Sequence, residues 1–352
     1  MWIMRNGDGP LIMYRTDMDA LPMYEKTDLS YASQVEIDYK GIRTGAMHSC
    51  GHDVHMTTWV GTARTMFEMR DHWGGTLMLI GQPAEEIGRG ARMMLEDGLY
   101  ERFGVPDFGL GLHSSPTIQA GKIGLDEGYS MAAVESVDIT VHGVGAHGAS
   151  PHMSVDPVVI ASMMVMDLQT IVSRNLDPLD RAVVTVGAIQ GGTVHNIIPD
   201  QVTLKLTIRT FKPEVRELVR KRIHEIAEGV AIAAGLPEDK FPEVKYEDSF
   251  TPANHNHADL VAAIRSSAAK VIGADNVEVA KPQMVGEDFS NYGSTDHDVP
   301  TVLYWLGTVT EEKIETGNLP GLHSPYYYPE PRKTLETGVS VTTQTLIDLF
   351  NS

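Results

Sequence analysis

Cys50 is the only cysteine among 352 residues, and it lies in the segment Met47-His48-Ser49-Cys50-Gly51-His52-Asp53-Val54-His55, where a thiol and three imidazoles crowd one short loop ahead of a helix. A lone cysteine forbids an intrachain disulfide, so burial or metal must hold the fold together, as suits a reducing compartment. Cysteine and histidine are also the standard borderline-soft metal ligands. A buried thiol beside scattered surface histidines is the ordinary alternative for such a segment taken alone.

With 42% hydrophobic and 21% charged residues, the chain has enough apolar material for a packed core. At this length two domains of about 100–200 residues are the default. The 47 acidic residues against 28 basic ones give a formal net charge of -19, which disfavours nucleic acid or an anionic membrane surface as partner. The longest apolar run, 158–166, is interrupted by Ser162 and falls short of the roughly 18–20 residues that span a bilayer, so no transmembrane helix is expected. The first residues lack the apolar stretch of an export signal.

Periodicity divides the chain into three stretches. The first, 1–131, alternates short apolar strands with helices: strands at 11–14 and 76–81, each ending in polar residues, with a helix over 54–70 between them. That alternation is how parallel sheets are wound. The second, 132–250, reads as a strand near 137–141, a helix over 156–172, strands at 182–189 and 202–210, a helix over 213–234 and a strand at 244–246. In 202–210, Thr203, Lys205, Thr207 and Arg209 share one face, and Val202, Leu204, Leu206 and Ile208 the other, as a one-sided sheet requires. The order βαββαβ predicts a ferredoxin-like sandwich. The third stretch adds a helix over 258–271, a strand at 301–305 and a closing helix over 333–350. The expected fold class is therefore α/β, with residues 1–131 and 251–352 forming one domain and 132–250 inserted in it.

Chemistry-bearing residues gather in few places. Gln82-Pro83-Ala84-Glu85-Glu86 puts two adjacent carboxylates just past an apolar strand, where open parallel sheets place their sites; such a pair can divide the work, one binding metal and the other moving protons. His113, in Leu112-His113-Ser114, and His323, in Leu322-His323-Ser324, both follow leucine and are soon followed by proline. With Cys50, His52 and Glu86 they make a five-ligand set expected at strand ends and in loops.

The segments Arg15-Thr16-Asp17-Met18-Asp19-Ala20-Leu21-Pro22, His48-Ser49-Cys50-Gly51-His52-Asp53-Val54-His55, Pro83-Ala84-Glu85-Glu86, Gly286-Glu287-Asp288-Phe289 and Leu322-His323-Ser324-Pro325 together resemble the M20 metallopeptidase family. More narrowly they resemble its amidohydrolase branch of aminoacylase, hippurate hydrolase and auxin-conjugate hydrolase types, which the cysteine marks. The resemblance implies a metallopeptidase catalytic domain with an inserted lid, also a dimerisation domain, and a site with two divalent metal ions. Cys50, His52, Glu86, His113 and His323 would be the ligands and Glu85 the catalytic base. Zinc or manganese is expected first, with cobalt and nickel also compatible with so mixed a ligand set.

By the same resemblance, His195 would hold the oxyanion or the substrate together with Asn196, both in Gly192-Thr193-Val194-His195-Asn196-Ile197-Ile198-Pro199, and Arg209 would read a substrate carboxylate. The implied activity is hydrolysis of N-acyl amino acids to a carboxylic acid and a free amino acid. A dipeptidase or carboxypeptidase on the same scaffold is the near alternative, and a catalytically inactive metal-binding protein the remote one, opposed by the retained Glu85. The expected partner is thus a small N-acyl amino acid or dipeptide, and a homo-oligomer through the lid is left open. A cytoplasmic location is expected, or a periplasmic or secreted one if a leader has been removed. Relatives usually carry a further helix and strand ahead of the segment resembling Asn6-Gly7-Asp8-Gly9-Pro10. No strand leads into Gly-x-Gly-x-x-Gly and no Gly-x-Ser-x-Gly elbow occurs, which sets aside nicotinamide-dependent and serine-hydrolase readings.

Overall fold

In the computed structural model, which describes residues 1–352, four apolar runs lie side by side as parallel strands in the order Gly75–Gln82, Leu11–Asp17, Phe108–Gln119, Thr301–Val309. Their near-continuous hydrophobicity follows from burial on both faces. Short strands missing from the sequence reading complete a mixed seven-stranded sheet. Trp2–Asn6 runs antiparallel to Gly75–Gln82 at one edge; at the other, Ile123–Leu125 runs antiparallel to Thr301–Val309 and carries Val277–Val279. Three or five residues hold too few alternations to register as a pattern.

The helices His52–Glu68, Ala258–Ile272 and Pro331–Phe350 share one core with this sheet, through Val54, Met66, Ile264, Val341 and Leu346 against Ile12, Leu77, Leu110 and Val302. The first and last of these helices approach closely at glycines. A Cβ on Gly338 would lie 2.8 Å from Thr58 Cγ2, and one on Gly61 2.6 Å from Val339 Cγ2.

Two units result. Met1–Ser130, Asn254–Pro282 and Glu287–Ser352 form the first; Met131–Ala253 and Gln283–Gly286 form the second. The second holds a four-stranded antiparallel sheet in the order Ala182–Gln190, Gln201–Thr210, Ala133–His142, Glu243–Tyr246, packed against helices Pro157–Thr170 and Pro213–Ala233. Along the chain this is βαββαβ, with Val202, Leu204, Leu206 and Ile208 buried in alternation. Asp156 starts the first helix by accepting a hydrogen bond from the Val158 amide, with Pro157 in the first turn where its missing N–H costs nothing.

That helix runs past the expected 156–172. It continues through a π-helical turn, Ile171–Asn175, so that Pro157–Asn175 is a 19-residue helix of mean hydropathy 1.2, long and apolar enough by length and composition to cross a membrane. The apolar run read from the sequence was too short because Ser162, Asp167, Gln169 and Thr170 interrupt it without ending the helix. Ile160, Ala161, Met164, Leu168 and Ile171 face the core of the second unit, while Val159, Met163 and Met166 are exposed.

The chain's exit from the first unit and its return lie together. Strands Gly128–Met131 and Asn254–Asn256 pair, and Asn254 Nδ2 donates to Ser130 Oγ at 2.6 Å.

Candidate metal centre

The carboxyl ends of the central strands bring the chemistry together. The strand expected over 11–14 runs on to Asp17, so that Arg15 and Asp17 are buried strand residues. Asp19, two residues beyond, grips the next strand's exit: the backbone amides of Glu85 and Glu86 donate to its Oδ1 and Oδ2 at 3.1 and 3.0 Å. Its own carbonyl accepts from His52 Nδ1 at 2.9 Å. Ala84, immediately before the carboxylate pair, has φ 59, and His323 has φ 63. Both non-glycine residues sit in the left-handed region, at a backbone cost of about 1–3 kcal/mol each that such sites commonly carry.

Around these anchors the five expected ligands converge. Cys50 Sγ lies 3.6 Å from His113 Nε2 and 3.3 Å from His323 Nε2. His323 Nε2 is 3.4 Å from Glu86 Oε2, and His52 Nε2 is 3.9 Å from Glu86 Oε1 and 3.8 Å from Glu85 Oε2. The donor atoms form one triplet of Cys50, His52 and His113 and another of Cys50, Glu86 and His323, each within 4.8 Å. Cys50 belongs to both. One expectation is corrected here: His113 is not at a strand end but within Phe108–Gln119, opposite Trp305, because pairing with Thr301–Val309 carries that strand past it.

Hydrogen bonds orient the imidazoles. His113 Nδ1 is 2.9 Å from the Ser114 carbonyl and His52 Nδ1 bonds the Asp19 carbonyl, so each ring donates there and presents Nε2 to the cluster. His55 is occupied at both nitrogens, with Nδ1 2.6 Å from Asp17 Oδ1 and Nε2 accepting from the Ser114 amide at 2.8 Å. Of the three imidazoles in the cysteine segment, only His52 therefore offers a nitrogen to the cluster. His48 Nδ1 is 3.1 Å from the Asp19 carbonyl.

Burial lowers His113 and His55 to about 4, leaving both neutral, despite the Asp17 carboxylate. For His52, burial is outweighed by Asp17, Asp19 and Glu86, which raise it to about 9. Burial carries Glu86 to about 7. Glu85 is held well above the carboxylate range by burial, then by the Glu287, Asp17 and Asp288 carboxylates. Burial, followed by Glu86 and Glu85, pushes the Cys50 thiol far up. A pocket that raises the proton affinity of its own anions is short of positive charge. His52 Nε2 and Glu86 Oε1 are buried with no hydrogen-bond partner, a cost that cation coordination removes. Thiolate, imidazole and carboxylate in two triplets joined at Cys50 fit a pair of divalent metal ions.

Behind the cluster stands a buried group with no role expected from sequence. The Arg15 guanidinium donates to Asp17 Oδ2 at 2.8 Å, Glu287 Oε1 at 2.8 Å, Asp288 Oδ1 at 3.1 Å and Gln82 Oε1 at 2.9 Å, all buried. A charged residue inside an otherwise apolar strand was the available signal.

The remaining expected site residues belong to the second unit. His195 and Asn196 are exposed, and the Asn196 carbonyl accepts from the Gly148 amide at 2.8 Å. Two short strands pair there, Ala146 with Ile198 and His147 with Ile197. Arg209, on strand Gln201–Thr210, is half-buried without an ion-pair partner, and desolvation lowers its pKa.

Comparison with known proteins agrees with this geometry. The model of peptidase family M20/M25/M40 matches residues 13–348. The chain is 41% identical over 301 residues to the N-acetyl-L-cysteine deacetylase of Bacillus subtilis (strain 168), covering 86% of this chain and 67% of that one. It is 37% identical to the N-acetyldiaminopimelate deacetylase of Leuconostoc citreum (strain KM20), covering 88% and 75%. The solved structure of the Bacillus subtilis YXEP protein, a dinuclear metal binding peptidase from the M20 family, superposes with a TM-score of 0.80 at 30% identity, over 99% of this chain and 84% of that one. A motif set and a donor cluster that both lie within the matched span leave one conclusion: the chain belongs to the peptidase family M20/M25/M40.

Proposed function

We propose that the chain hydrolyses the amide bond of N-acyl amino acids, with Cys50, His52, Glu86, His113 and His323 holding two divalent ions, zinc or manganese in the first place. The observation that carries this reading is the position of Glu85. It is a buried carboxylate of raised proton affinity that groups with His52 and Glu86 at the cluster's edge, yet it joins neither triplet that shares Cys50. When bound, the ions supply Lewis acidity, polarising the amide carbonyl and acidifying water.

Glu85 then takes the proton of the attacking water and returns it to the departing amine nitrogen, so the carboxyl ends the cycle as it began. Asp19 fixes Glu85 and Glu86 through their backbone amides, which keeps base and ligand in constant register. The second unit is read as the lid: His195 and Asn196 donate to the developing oxyanion or the substrate, and Arg209, uncommitted within its own unit, reads the free carboxylate bidentately. A homo-oligomer through the second unit is supported by exposed Val159, Met163 and Met166 on one helix.

The test is a panel of N-acetyl and N-benzoyl amino acids, including N-acetylcysteine and N-acetyldiaminopimelate, run beside dipeptides on chelated and metal-restored protein. Hydrolysis of the acyl amino acids that disappears on chelation and returns with zinc or manganese is expected. Turnover that survives exhaustive metal removal overturns the metal reading, and activity confined to dipeptides overturns the substrate class.

A further inference from the structure

A second cavity, of about 520 Å³, opens in the first unit, and none of Cys50, His52, Glu85, Glu86, His113 or His323 lines it. The first turn of helix His52–Glu68 contributes to one wall, residues 20–48 to another, and the segment following His323 to a third. It adjoins the metal centre at Asp53, which follows His52, and at His48, whose Nδ1 bonds the same Asp19 carbonyl that holds His52.

The walls are apolar in the main, and three phenol rings, Tyr31, Tyr327 and Tyr328, face the space. The only charged residues lining it are Glu25 and Asp53; no lysine or arginine does. Glu25 and Asp53 make the lining acidic, while Lys313 Nζ lies 3.2 Å from the Tyr328 ring centroid and covers one face of that ring. Beyond its own partial desolvation, the Tyr31 hydroxyl is pushed up by Asp53 and Glu25. A volume in the range of about 300–1,000 Å³ suits a small organic ligand. Aromatic faces and two carboxylates favour a cation and repel an anion, so an acyl amino acid bearing a free carboxylate is the wrong ligand for this cavity.

We propose that this cavity is a binding site for a small organic ammonium ion with an aromatic or branched aliphatic body, separate from the metal centre. The body fills the apolar walls and the ammonium lies over the exposed Tyr31 ring, near Glu25 and Asp53.

Calorimetric titration of the full chain with phenethylammonium, 2-phenylethanol and 3-phenylpropionate, on chelated and on metal-loaded protein, tests this. Phenethylammonium is expected to bind at least about ten-fold more tightly than the alcohol, the propionate not measurably, and chelation to change the ammonium affinity less than two-fold. Tyr31→Ala, at a side chain 65% exposed and hence tolerant of truncation, and Glu25→Gln are each expected to weaken the ammonium about five-fold or more. Equal binding of the three probes, no binding of any, an unchanged affinity in Tyr31→Ala, or binding lost on chelation overturns the proposal. Because no turnover is measured, the outcome is independent of whether the hydrolytic reading stands.

Discussion

Asp19 spends every acceptor it has on the site: its two carboxylate oxygens take the amides of Glu85 and Glu86, and its carbonyl takes His52. In the proposed mechanism neighbouring glutamates take different tasks without any difference in chemistry between their side chains. Glu85→Gln is expected to leave metal content nearly intact while lowering turnover by about 10²–10⁴-fold, since the amide keeps the shape but cannot accept the proton. Glu86→Gln should instead weaken metal binding, as metal analysis after dialysis would reveal; the opposite pattern would exchange the two roles. Arg15 works on a different quantity. One buried guanidinium faces Asp17, Glu287 and Asp288, so Arg15→Ala leaves carboxylates uncompensated in the interior. A loss of about 3–5 kcal/mol is expected in denaturant unfolding, and a loss below about 1 kcal/mol would mean that the carboxylates are neutral without it.

At the level of elements, the paired strands Gly128–Met131 and Asn254–Asn256 rest on a buried polar knot. Asn256 Nδ2 donates to Asp126 Oδ1 at 3.1 Å and to the carbonyls of Asp126 and Leu303 at 3.0 Å, while Asp126 Oδ2 has no partner. Burial raises Asp126 to about 6, above its unfolded value of about 3.9. Between those two values the folded chain holds a proton that the unfolded chain has released, so this group's contribution to stability falls as pH rises from about 4 to 6 and stays low above that. Asp126→Asn keeps the acceptor at Oδ1 and should flatten that part of the Tm profile, raising Tm relative to the parent at pH 8 more than at pH 4.5. A parallel shift at both values would remove the carboxyl as the cause.

The long elements were legible in the sequence because periodicity accumulates along them: Pro213–Ala233 shows its proline start and helical spacing, and Gln201–Thr210 its strict alternation. The five donors were legible because thiol, imidazole and carboxylate are scarce in combination. What escaped was the support. Asp19 acts through its carbonyl as much as through its side chain, and Arg15 meets Glu287 across 272 positions; no local pattern encodes either. His113 was misplaced as a strand end because pairing, not propensity, extends its strand.

For the whole molecule, the substrate reading concentrates on Arg209. Arg209→Ala is expected mainly to raise KM for substrates with a free α-carboxylate, by roughly ten-fold or more for a lost charge-assisted contact, and to matter little for the matching amides. Equal losses on acids and amides would make the residue structural. The paired strands at Ser130 and Asn254 have a different consequence. Because the chain leaves and re-enters the first unit at residues already bonded to each other, the seven-stranded frame is indifferent to how much polypeptide lies between them. A change in the length of the βαββαβ insert is therefore absorbed between Ser130 and Asn254, whereas its exchange must keep a partner for residues 283–286, which return to the second unit and accept from the Ala132 amide.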